Sequence, residues 1–575
     1  MHFSIIVSPY FLNREKTMNQ FTPKFFDSMK HYSASQFARD VISGIIVAII
    51  ALPLSIALAL ASGVGPEEGI YTAIFAGFII SFLGGSTTQI AGPTAAFATI
   101  VAGIVFQYGK SGLMMATIMA GIFLIIMGFL KVGSLIKFIP YTITVGFTFG
   151  IAVTILAGQL KDFFGLTYSD GVSNIETIDK IKNVFVFIKS FNYQAFIIGM
   201  VALLIQICWP KKLSKIPSSL IAVIVTILMV KFIGSDGMNV ETIGDKYTIS
   251  NKFPLPSLKG FDWAQIPHLI KPAITIAVLA AIESLLSCVV SDGMTGDCHK
   301  PNAELIGQGA GNIMSALFGG IPATGAIART AANIKNGGRT PVAGMVHSIT
   351  LVLILVLLMP LAGLIPMPTI AAILFMVAYN MSGWRTFVNL CKIAPKSDIL
   401  VLVVTFVLTV VFDLVVAIEA GFLLSAVLFL ARMSKVTQIK NSKFKAEKVD
   451  QENDSESIKL KNVPSETSVY EITGPMFFAA ADKFMQMETK SGTKSIIIRM
   501  RSVPAMDMTA LRSLKTLTSN CSKTGITVIL SHVNEQPLHM MKKAGFDKII
   551  GEENFCANID EALKRAEEIN KTKKS

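Results

Sequence analysis

Two ionisable residues stand in otherwise apolar stretches, and they are the strongest candidates for chemistry. Glu283 lies near the middle of the apolar run 273–291, and Arg329 follows the pair Gly319–Gly320. A charged side chain at bilayer depth is costly and usually functional, because it serves a substrate, an ion or another charge. A carboxyl group that exchanges a proton, beside a fixed cation, is suited to binding an anion and coupling its movement to protons. The alternative is structural: Glu283 pairs with a buried cation, with Arg329 itself as one candidate partner.

The segment that carries Arg329 predicts a broken membrane span. Residues 319–340 read GGIPATGAIARTAANIKNGGRT, so Gly and Pro interrupt the chain and a short helix is expected from about Thr324. The N-terminus of that helix would present unpaired N–H groups and roughly half a positive charge to an anion. Irregular backbone at this depth must be surrounded by protein or line a wet cavity. The alternative is an ordinary loop with Arg329 reaching the membrane surface.

An internal echo favours the broken span. Residues 84–100 read GGSTTQIAGPTAAFATI, and both segments place Gly-Gly before a polar stretch and then Thr-Ala-Ala. The Gly-Gly pairs are 235 positions apart (84 to 319) and the triplets 236 apart (94 to 330). Interrupted segments at matching places in two halves indicate an inverted-repeat transporter whose site lies between two half-helices.

The composition is that of a polytopic membrane protein. Hydrophobic residues make up 52% and charged residues 15% of the 575-residue chain, and the mean hydropathy is +0.58. The net charge of +13 is explained by basic loops on one side of the membrane, so no nucleic-acid partner is expected. The six cysteines show neither CxxC nor paired histidine spacing, so no disulfide framework, metal site or cofactor is predicted.

About fourteen membrane segments are predicted. They are 41–61, 69–83, a half-helix at 92–107, 113–130, 138–160, 195–209, 217–233, 273–291, 303–318, a second half-helix from about Thr324, 341–361, 367–381, 399–412 and 414–431. Polar loops are expected at 161–190 and 234–271. An even number of spans leaves both termini cytoplasmic, and the basic loops then fall on the cytoplasmic side.

The two ends of the chain differ in character from these spans. Residues 1–36 are expected to be a cytoplasmic leader without a signal peptide, and Met1 and Met18 stay alternative starts. Residues 37–434 form the transporter domain, 435–464 a polar linker and 465–575 a soluble domain. In that domain strands at 468–472, 495–500 and 526–531 alternate with helical patterns at 477–487, 508–519, 536–544 and 559–569, which predicts a small α/β sheet fold.

From about Phe37 to the end, the chain resembles the sulfate permease (SulP) family. The likeness rests on QIAGPTAAF at 89–97, AAIESLLSCVVSDGMTG at 280–296 and the run from Gly319. The last domain resembles a STAS domain, the anti-sigma-factor-antagonist type, through VPAMDMTALRSL at 503–514. The bacterial branch associated with C4-dicarboxylate uptake, the DauA type, is the most similar in ALPLSIALA, AIESLL, DGMTG, AIART and GPMFFAAA.

The resemblance implies an all-α membrane domain with a 7+7 inverted repeat. Spans one to four and eight to eleven would form a moving core, and the others a gate. The substrate would lie between the two half-helices, with Thr94 and Ala95 on one side and Ala328 and Arg329 on the other. Glu283 takes the family's acid position in span eight, which is Asp in sodium-coupled bicarbonate members.

Three further positions follow from the resemblance. Ser287, one turn after Glu283, matches a hydroxyl position beside the coupling acid. Many relatives have Gln and an aromatic residue where this chain has Leu54 and Leu58, so a greasier pocket is expected. Such a pocket suits an organic anion, although inorganic anions stay open. Thr509 falls where soluble STAS proteins carry a phosphorylated residue, but the motif is degraded to Asp-Met-Thr-Ala, which favours dimer contacts or partner docking over phosphorylation.

The sequence is therefore interpreted as a secondary transporter of the inner membrane. It would take up a C4-dicarboxylate or sulfate with protons, or with sodium, as a homodimer in lipid, and its STAS domain would dock a cytoplasmic protein. A bicarbonate or chloride carrier of the same fold is the first alternative, and a STAS-based sensor or scaffold is the second. An enzyme is not predicted, because no nucleophile–base set is present. Asp292, Asp297 and His299 are expected to be solvated loop residues.

Overall fold

The computed structural model describes residues 20–30, 32–134, 140–169, 176–210, 217–233, 240–247, 253–258, 260–412, 414–436, 438–441, 463–477 and 492–572. The chain divides into two compact units, Met1–Phe422 and Leu423–Ser575. Within the described ranges, eight helices are long and apolar enough to cross a membrane, judged by length and composition, and shorter apolar helices accompany them.

Among the described residues, seven segments in each half of the chain correspond to the predicted spans. The helices of the first half are α1 (Lys24–Met29), α2 (Ala34–Ala61), α3 (Pro66–Leu83), α4 (Ala98–Phe129), α5 (Tyr141–Phe164), α6 (Thr177–Val186), α7 (Tyr193–Cys208), α8 (Ser218–Ile233) and α9 (Ile243–Lys246). Those of the second half are α10 (Ile266–Thr295), α11 (Pro301–Leu317), α12 (Ile327–Lys335), α13 (Val342–Ala362), α14 (Met367–Ser382), α15 (Trp384–Ile393), α16 (Lys396–Val411) and α17 (Leu414–Val436). Gly109, with φ 68°, divides α4 into a half-helix and a full span. The predicted repeat is confirmed, with α1, α6, α9 and α15 as additional helices.

The two broken segments meet in a short antiparallel ladder, which we call the crossing. Strand β1 (Ala91–Gly92) pairs with strand β2 (Thr324–Gly325), and the Ala326 amide donates to the Ile90 carbonyl over 2.9 Å. Backbone N–H and C=O groups left unpaired in hydrocarbon cost several kcal/mol each. Each broken segment therefore provides hydrogen-bond partners for part of the backbone of the other. Because Thr324 belongs to β2, helix α12 begins at Ile327 and not near Thr324 as predicted.

Helix packing separates the membrane unit into two groups, as expected from the family. Helices α2, α3, α4, α10, α11, α12 and α13 pack on one another and form the core, whereas α5, α7, α8, α14 and α16 form the gate. In the core, a Cβ on Gly121 of α4 would stand 2.6 Å from the Gly309 carbonyl oxygen of α11. Small residues at such contacts let two membrane helices approach backbone to backbone.

Several predicted boundaries were wrong, for two physical reasons. Helices α6 and α9 lie inside the expected loops 161–190 and 234–271, and α15 follows the twelfth span. These helices are short or amphipathic, so a search for long apolar runs passes over them. Helix α10 begins at Ile266, before the predicted start at residue 273, because Pro267 occupies its first turn and Pro272 is accommodated inside it.

Residues 20–30 are bound to the core and do not form a free leader. The Lys24 ammonium lies 3.0 Å from Asp297 Oδ1, and that of Lys300 lies 2.7 Å from Asp27 Oδ2. The Lys24 amide donates to the Gly84 carbonyl, at the start of the first broken segment. The hydrogen bond from Lys300 lowers the pKa of Asp27. Asp297, expected to be solvated, is thus an anchor of the N-terminal segment.

The C-terminal unit contains a five-stranded sheet in the order β3-β4-β5-β6-β7. Its strands are β3 (Gln438–Asn441), β4 (Thr467–Thr473), β5 (Ser495–Ser502), β6 (Thr527–Ser531) and β7 (Phe555–Cys556), and its helices are α18 (Met508–Lys523), α19 (Glu535–Lys543), α20 (Phe546–Ile550) and α21 (Ile559–Thr572). Only β3 pairs antiparallel. Alternate residues of β5 face opposite sides, with Ile496 and Ile498 in one core cluster and Ile497 in the other.

The predicted α/β domain is confirmed, with two qualifications. Strand β3 falls inside the segment 435–464 that was expected to be a linker. The helical pattern at 477–487 lies, after Phe477, outside the described residues. The remaining predicted strands and helices appear within a few residues of their expected ends.

The docking of residues 20–30 predicts an effect of Asp27→Asn. Loss of the charge leaves the nearly buried Lys300 ammonium without its anionic partner, which should cost on the order of 1 kcal/mol. We expect about fivefold faster amide hydrogen exchange in residues 20–30. Lys30→Gln is the matched control, because it removes only an exposed partner of the same acid. Equal exchange in the two variants would contradict the anchoring role of Lys300.

Candidate functional site

Helix α10 presents a line of side-chain oxygens to the crossing. Ser284 Oγ lies 2.6 Å from Thr324 Oγ1 and accepts a 3.1 Å hydrogen bond from the Gly325 amide. Further along the helix, Ser291 Oγ and Thr88 Oγ1 are 2.5 Å apart. Residues spaced three, four and seven apart share one face of a helix, so α10 can serve the broken backbone along several turns.

Two residues one turn apart on α10 contact the equivalent threonines of the two halves. Thr94 Oγ1 donates to Glu283 Oε2 over 3.0 Å, and Ser287 Oγ is 3.4 Å from Thr330 Oγ1. Thr94 and Thr330 each begin one of the repeated Thr-Ala-Ala triplets. The repeat therefore brings matching positions of both halves to one short stretch of α10, and Glu283 meets the half-helix of the first half.

Arg329 lies behind the crossing with only 1% of its surface exposed. One terminal nitrogen of its guanidinium donates to Ser55 Oγ at 3.3 Å and to the Pro93 carbonyl at 3.2 Å. Its Nε and its other terminal nitrogen, Nη1, have no hydrogen-bond partner among the described residues. A Cβ on Gly92 would stand 2.2 Å from Nη1. The guanidinium thus occupies the space that a side chain at Gly92 would fill.

Both half-helices begin at the crossing with free backbone donors. After Thr94 a single 3-10 turn, Ala95–Phe97, leads into α4, and α12 starts after Ala326. The first-turn amides of a helix have no partner within it, and their dipoles favour a negative charge. Two such ends beside a buried guanidinium favour the binding of an anion in this region.

The structure brings together some of the predicted site residues and separates others. Thr94 and Glu283 are in contact and only partly buried, while Ala328 is exposed at the start of α12. Ala95 and Leu58 are buried, with 5% and 2% of their surface exposed, and Leu54 is half-buried. The Arg329 guanidinium binds Ser55 of α2 and the Pro93 carbonyl, next to β1, whereas the neighbouring Ala328 is exposed. No ion pair joins Arg329 and Glu283 within the described ranges, so the structural pairing considered for them is absent.

The sequence reasoning passed over the hydroxyl and amide groups that hold the crossing. They are Ser55, Thr88, Ser284, Ser291, Thr324, Thr330 and Asn333. Small polar residues are tolerated in any membrane helix, so each is uninformative alone. Their spacing on α10 was the available signal, since Ser284, Ser287 and Ser291 fall on one helix face.

The remaining candidates make contacts of their own. Thr509 is exposed at the start of α18, where Asp507 caps the helix by accepting from the Ala510 amide over 2.8 Å. Asp292 lies in the last turn of α10 and not in a loop as expected, and its Oδ2 is 2.6 Å from His299 Nδ1, so the two residues bind each other. In the part of the chain that the structure describes, no group of three or more His, Cys, Asp or Glu side chains is arranged to hold a metal ion.

Comparisons with known proteins agree with this architecture. The profile of the sulfate permease family matches residues 37–405, and that of the STAS domain matches residues 459–562. The chain belongs to the sulfate permease family. It is a multi-pass membrane protein and an anion transporter of that family, and not an enzyme.

Individual relatives of the family span nearly the whole chain. "Putative sulfate transporter YvdB" of Bacillus subtilis (strain 168) is 36% identical over 546 residues, which cover 94% of this chain and 99% of the relative. The bicarbonate transporter BicA of Picosynechococcus is 30% identical over 550 residues, covering 92% and 94%. The structure of murine Slc26a9, described as an anion transporter in the inward-facing state, shares the fold with a TM-score of 0.83 at 17% identity and covers 99% of this chain and 96% of its own.

The contact between Gly92 and the guanidinium predicts the effect of Gly92→Ala. The added methyl group must displace Arg329 Nη1, because a real Cβ cannot stay 2.2 Å from it. Since the displaced atom ends a flexible side chain, we expect normal folding and about a tenfold weaker anion affinity in purified protein. Gly293→Ala in α10 is the control, because a Cβ there meets no heavy atom within 4 Å. Equal affinity in both variants would remove the guanidinium from the site.

Proposed function

We propose that the protein takes up a dianion, a C4-dicarboxylate or sulfate, together with protons. The single observation that carries this proposal is the 3.0 Å contact between Thr94 and Glu283. It puts a titratable carboxyl group at the end of a half-helix whose free amides attract anions. Binding and coupling would then share one location, as a symporter requires.

The anion would be held by the half-helix ends and the charge of Arg329. Two nitrogens of this guanidinium lack partners in the described residues, and a buried donor without a partner costs about 1–3 kcal/mol. Hydrogen bonds from a cation to a carboxylate or sulfate are roughly twice as strong as neutral ones. An anion that approaches Thr94 would satisfy these donors directly or through a small shift of the side chain.

A cavity lies between core and gate, near the start of α10. It has a volume of about 300 Å³ and is lined by Thr99 and Gly103 of the half-helix, Lys271 and Thr275 of α10, and Thr154 of α5. The lining also includes Glu176, so the cavity carries one acid beside Lys271, and its hydroxyl groups can donate hydrogen bonds to a hydrated anion. Lys271 would collect anions on the side of the membrane where α10 begins.

The chemical character of the proposed substrate is argued from two residues of span one. Leu54 and Leu58 replace the polar and aromatic residues of many relatives, and apolar side chains suit the methylene groups of a dicarboxylate. Sulfate stays in the proposal because the Bacillus relative carries that substrate in its name. Bicarbonate is the second candidate, favoured by the 30% identity to BicA, and it would combine with the same guanidinium as a monoanion.

Glu283 is proposed as the coupling residue. Thr94 is its hydrogen-bond partner, and no cation lies within 4.0 Å of it among the described residues. A carboxylate without a cation in the membrane is expensive, so protonation is the simplest way to neutralise it. Sodium is the alternative coupling ion, with Ser287 and Thr94 as neighbouring oxygens.

The setting of the carrier follows from its basic loops and its relatives. We place it in the inner membrane as a homodimer, with both termini and the STAS domain in the cytoplasm, because this orientation puts the positive loops inside. The proposed division is a leader 1–36, a transporter domain 37–434, a linker 435–464 and a STAS domain 465–575. The STAS domain would serve dimer contacts or a cytoplasmic partner, with Thr509 as an exposed regulatory candidate.

The role of Arg329 predicts that Arg329→Ala weakens anion binding by about 10- to 100-fold, which corresponds to the loss of one charge-assisted hydrogen bond. Lysine should restore part of the affinity, because its point charge cannot bind two oxygens at once. Counterflow in liposomes with labelled succinate, fumarate, sulfate and bicarbonate measures the effect and identifies the substrate. Arg385→Ala, which removes an exposed arginine, is the control. Full counterflow in Arg329→Ala would overturn the binding role.

The role of Glu283 predicts a split between two fluxes in Glu283→Gln. The amide keeps the size and hydrogen bonding of the protonated acid but cannot release a proton, so counterflow should persist and proton-driven uptake should vanish. Both fluxes are measured side by side in liposomes, with Glu419→Gln as the control for another acid in a span. If proton-driven uptake survives in Glu283→Gln, this residue does not couple transport.

A further inference from the structure

A second titratable group of the core has no role in the proposed site. His347 lies in α13 with 0% of its surface exposed, and neither ring nitrogen has a hydrogen-bond partner among the described residues. A neutral imidazole has one N–H donor and one acceptor, and nearly all buried polar groups are paired. A buried imidazole left with both functions free therefore requires a physical explanation.

Gly77 of α3 adjoins both the imidazole and the crossing. A Cβ on Gly77 of α3 would stand 3.9 Å from His347 Nδ1 and 3.3 Å from the Ala91 carbonyl oxygen of β1. Ala91 directly precedes Gly92, against which the Arg329 guanidinium lies. The histidine and the arginine thus approach the same strand, and each brings two nitrogens without partners.

The guanidinium of Arg329 lies against Gly92, the neighbour of Ala91 in β1. Helix α13 packs chiefly on α2 and α3. The acid of α2 on this side, Asp40, is already bonded to Thr340 Oγ1 at 2.6 Å. The acids of α3, Glu67 and Glu68, lie in its first turn, more than two turns from Gly77.

We propose that His347 is a second proton-accepting group of the carrier, which takes up a proton when a dianion occupies the site beside Arg329. This inference rests on the proposed binding of an anion near Arg329. Without an anion, a protonated imidazole would add a second positive charge beside the guanidinium in a medium of low dielectric. A monoanion cancels the arginine charge, whereas a dianion leaves one negative charge that a proton on His347 neutralises.

Linkage makes this relation quantitative. If a dianion favours the protonated imidazole, protonation favours the dianion by the same factor. If each bound anion takes up one proton, the dissociation constant of the anion rises tenfold per pH unit. This holds at pH values above the range in which the free site is protonated. Succinate and sulfate should therefore bind more weakly as pH rises from 6 to 8, while chloride should show less dependence through this group.

The test measures proton uptake on anion binding by the purified full-length protein. Calorimetry of sulfate and succinate binding, in two buffers of different ionisation enthalpy at one pH, gives the number of protons taken up per anion. We expect His347→Gln to take up fewer protons per bound dianion than the wild type, by up to one proton. His268→Gln, which removes an exposed histidine, should match the wild type. Uptake unchanged in His347→Gln would overturn the proposal.

If His347→Gln does not fold, a measurement on the wild-type protein still tests the proposal. Nitrogen NMR of histidine-labelled protein distinguishes neutral from doubly protonated rings, and one ring should become doubly protonated when sulfate is added. If no ring does so although sulfate binds, the proposal is wrong. If neither dianion binds at all, the proposed function itself fails, and the two failures are thus distinguishable.

Discussion

Backbone pairing at the crossing is the constraint on which the rest of the membrane unit depends. Two segments of the chain stop being helical inside the bilayer, and their backbone N–H and C=O groups must find hydrogen-bond partners there. β1 and β2 supply only part of them. Side chains supply others: Asn312 binds both the amide and the carbonyl of Ala323, and Ser315 and Thr72 bind Ile321. Much of the polarity of these apolar spans is therefore structural.

The buried ionisable groups of the core differ in how many hydrogen-bond partners they have. Glu304 is fully buried, yet it accepts from the Gly85 amide at 2.8 Å, from Gln89 at 2.6 Å and from Gln308 at 2.8 Å. Among the described residues, Glu283 has the Thr94 hydroxyl as its one hydrogen-bond partner, and His347 has none. A carboxylate held by three donors fastens helices together. The incompletely satisfied groups have capacity left for a proton or a substrate.

Sequence reasoning predicted what repeats or periodicity encode, and it missed what depends on contacts between distant residues. The Gly-Gly and Thr-Ala-Ala echo revealed both broken spans, and the apolar runs revealed the long helices. The contacts of Arg329 with Pro93 and Ser55 join residues 236 and 274 positions apart, so the sequence could not predict them. The ion pair of Lys24 with Asp297 joins residues 273 positions apart, and no local pattern announces it. Nothing in the sequence distinguishes His347 from other core residues, because its lack of hydrogen-bond partners among the described residues depends on tertiary packing.

The separation of β1 and β2 along the chain has a consequence for biogenesis. Ala91 pairs with Gly325, which is 234 residues later (325 − 91 = 234). At a synthesis rate of roughly 5–20 residues per second, the first strand waits on the order of 10–50 s for its partner. During that time its backbone is exposed to lipid or must be shielded by the insertion machinery. Slower translation of the second half should therefore lower the yield of assembled carrier even when every span is inserted correctly.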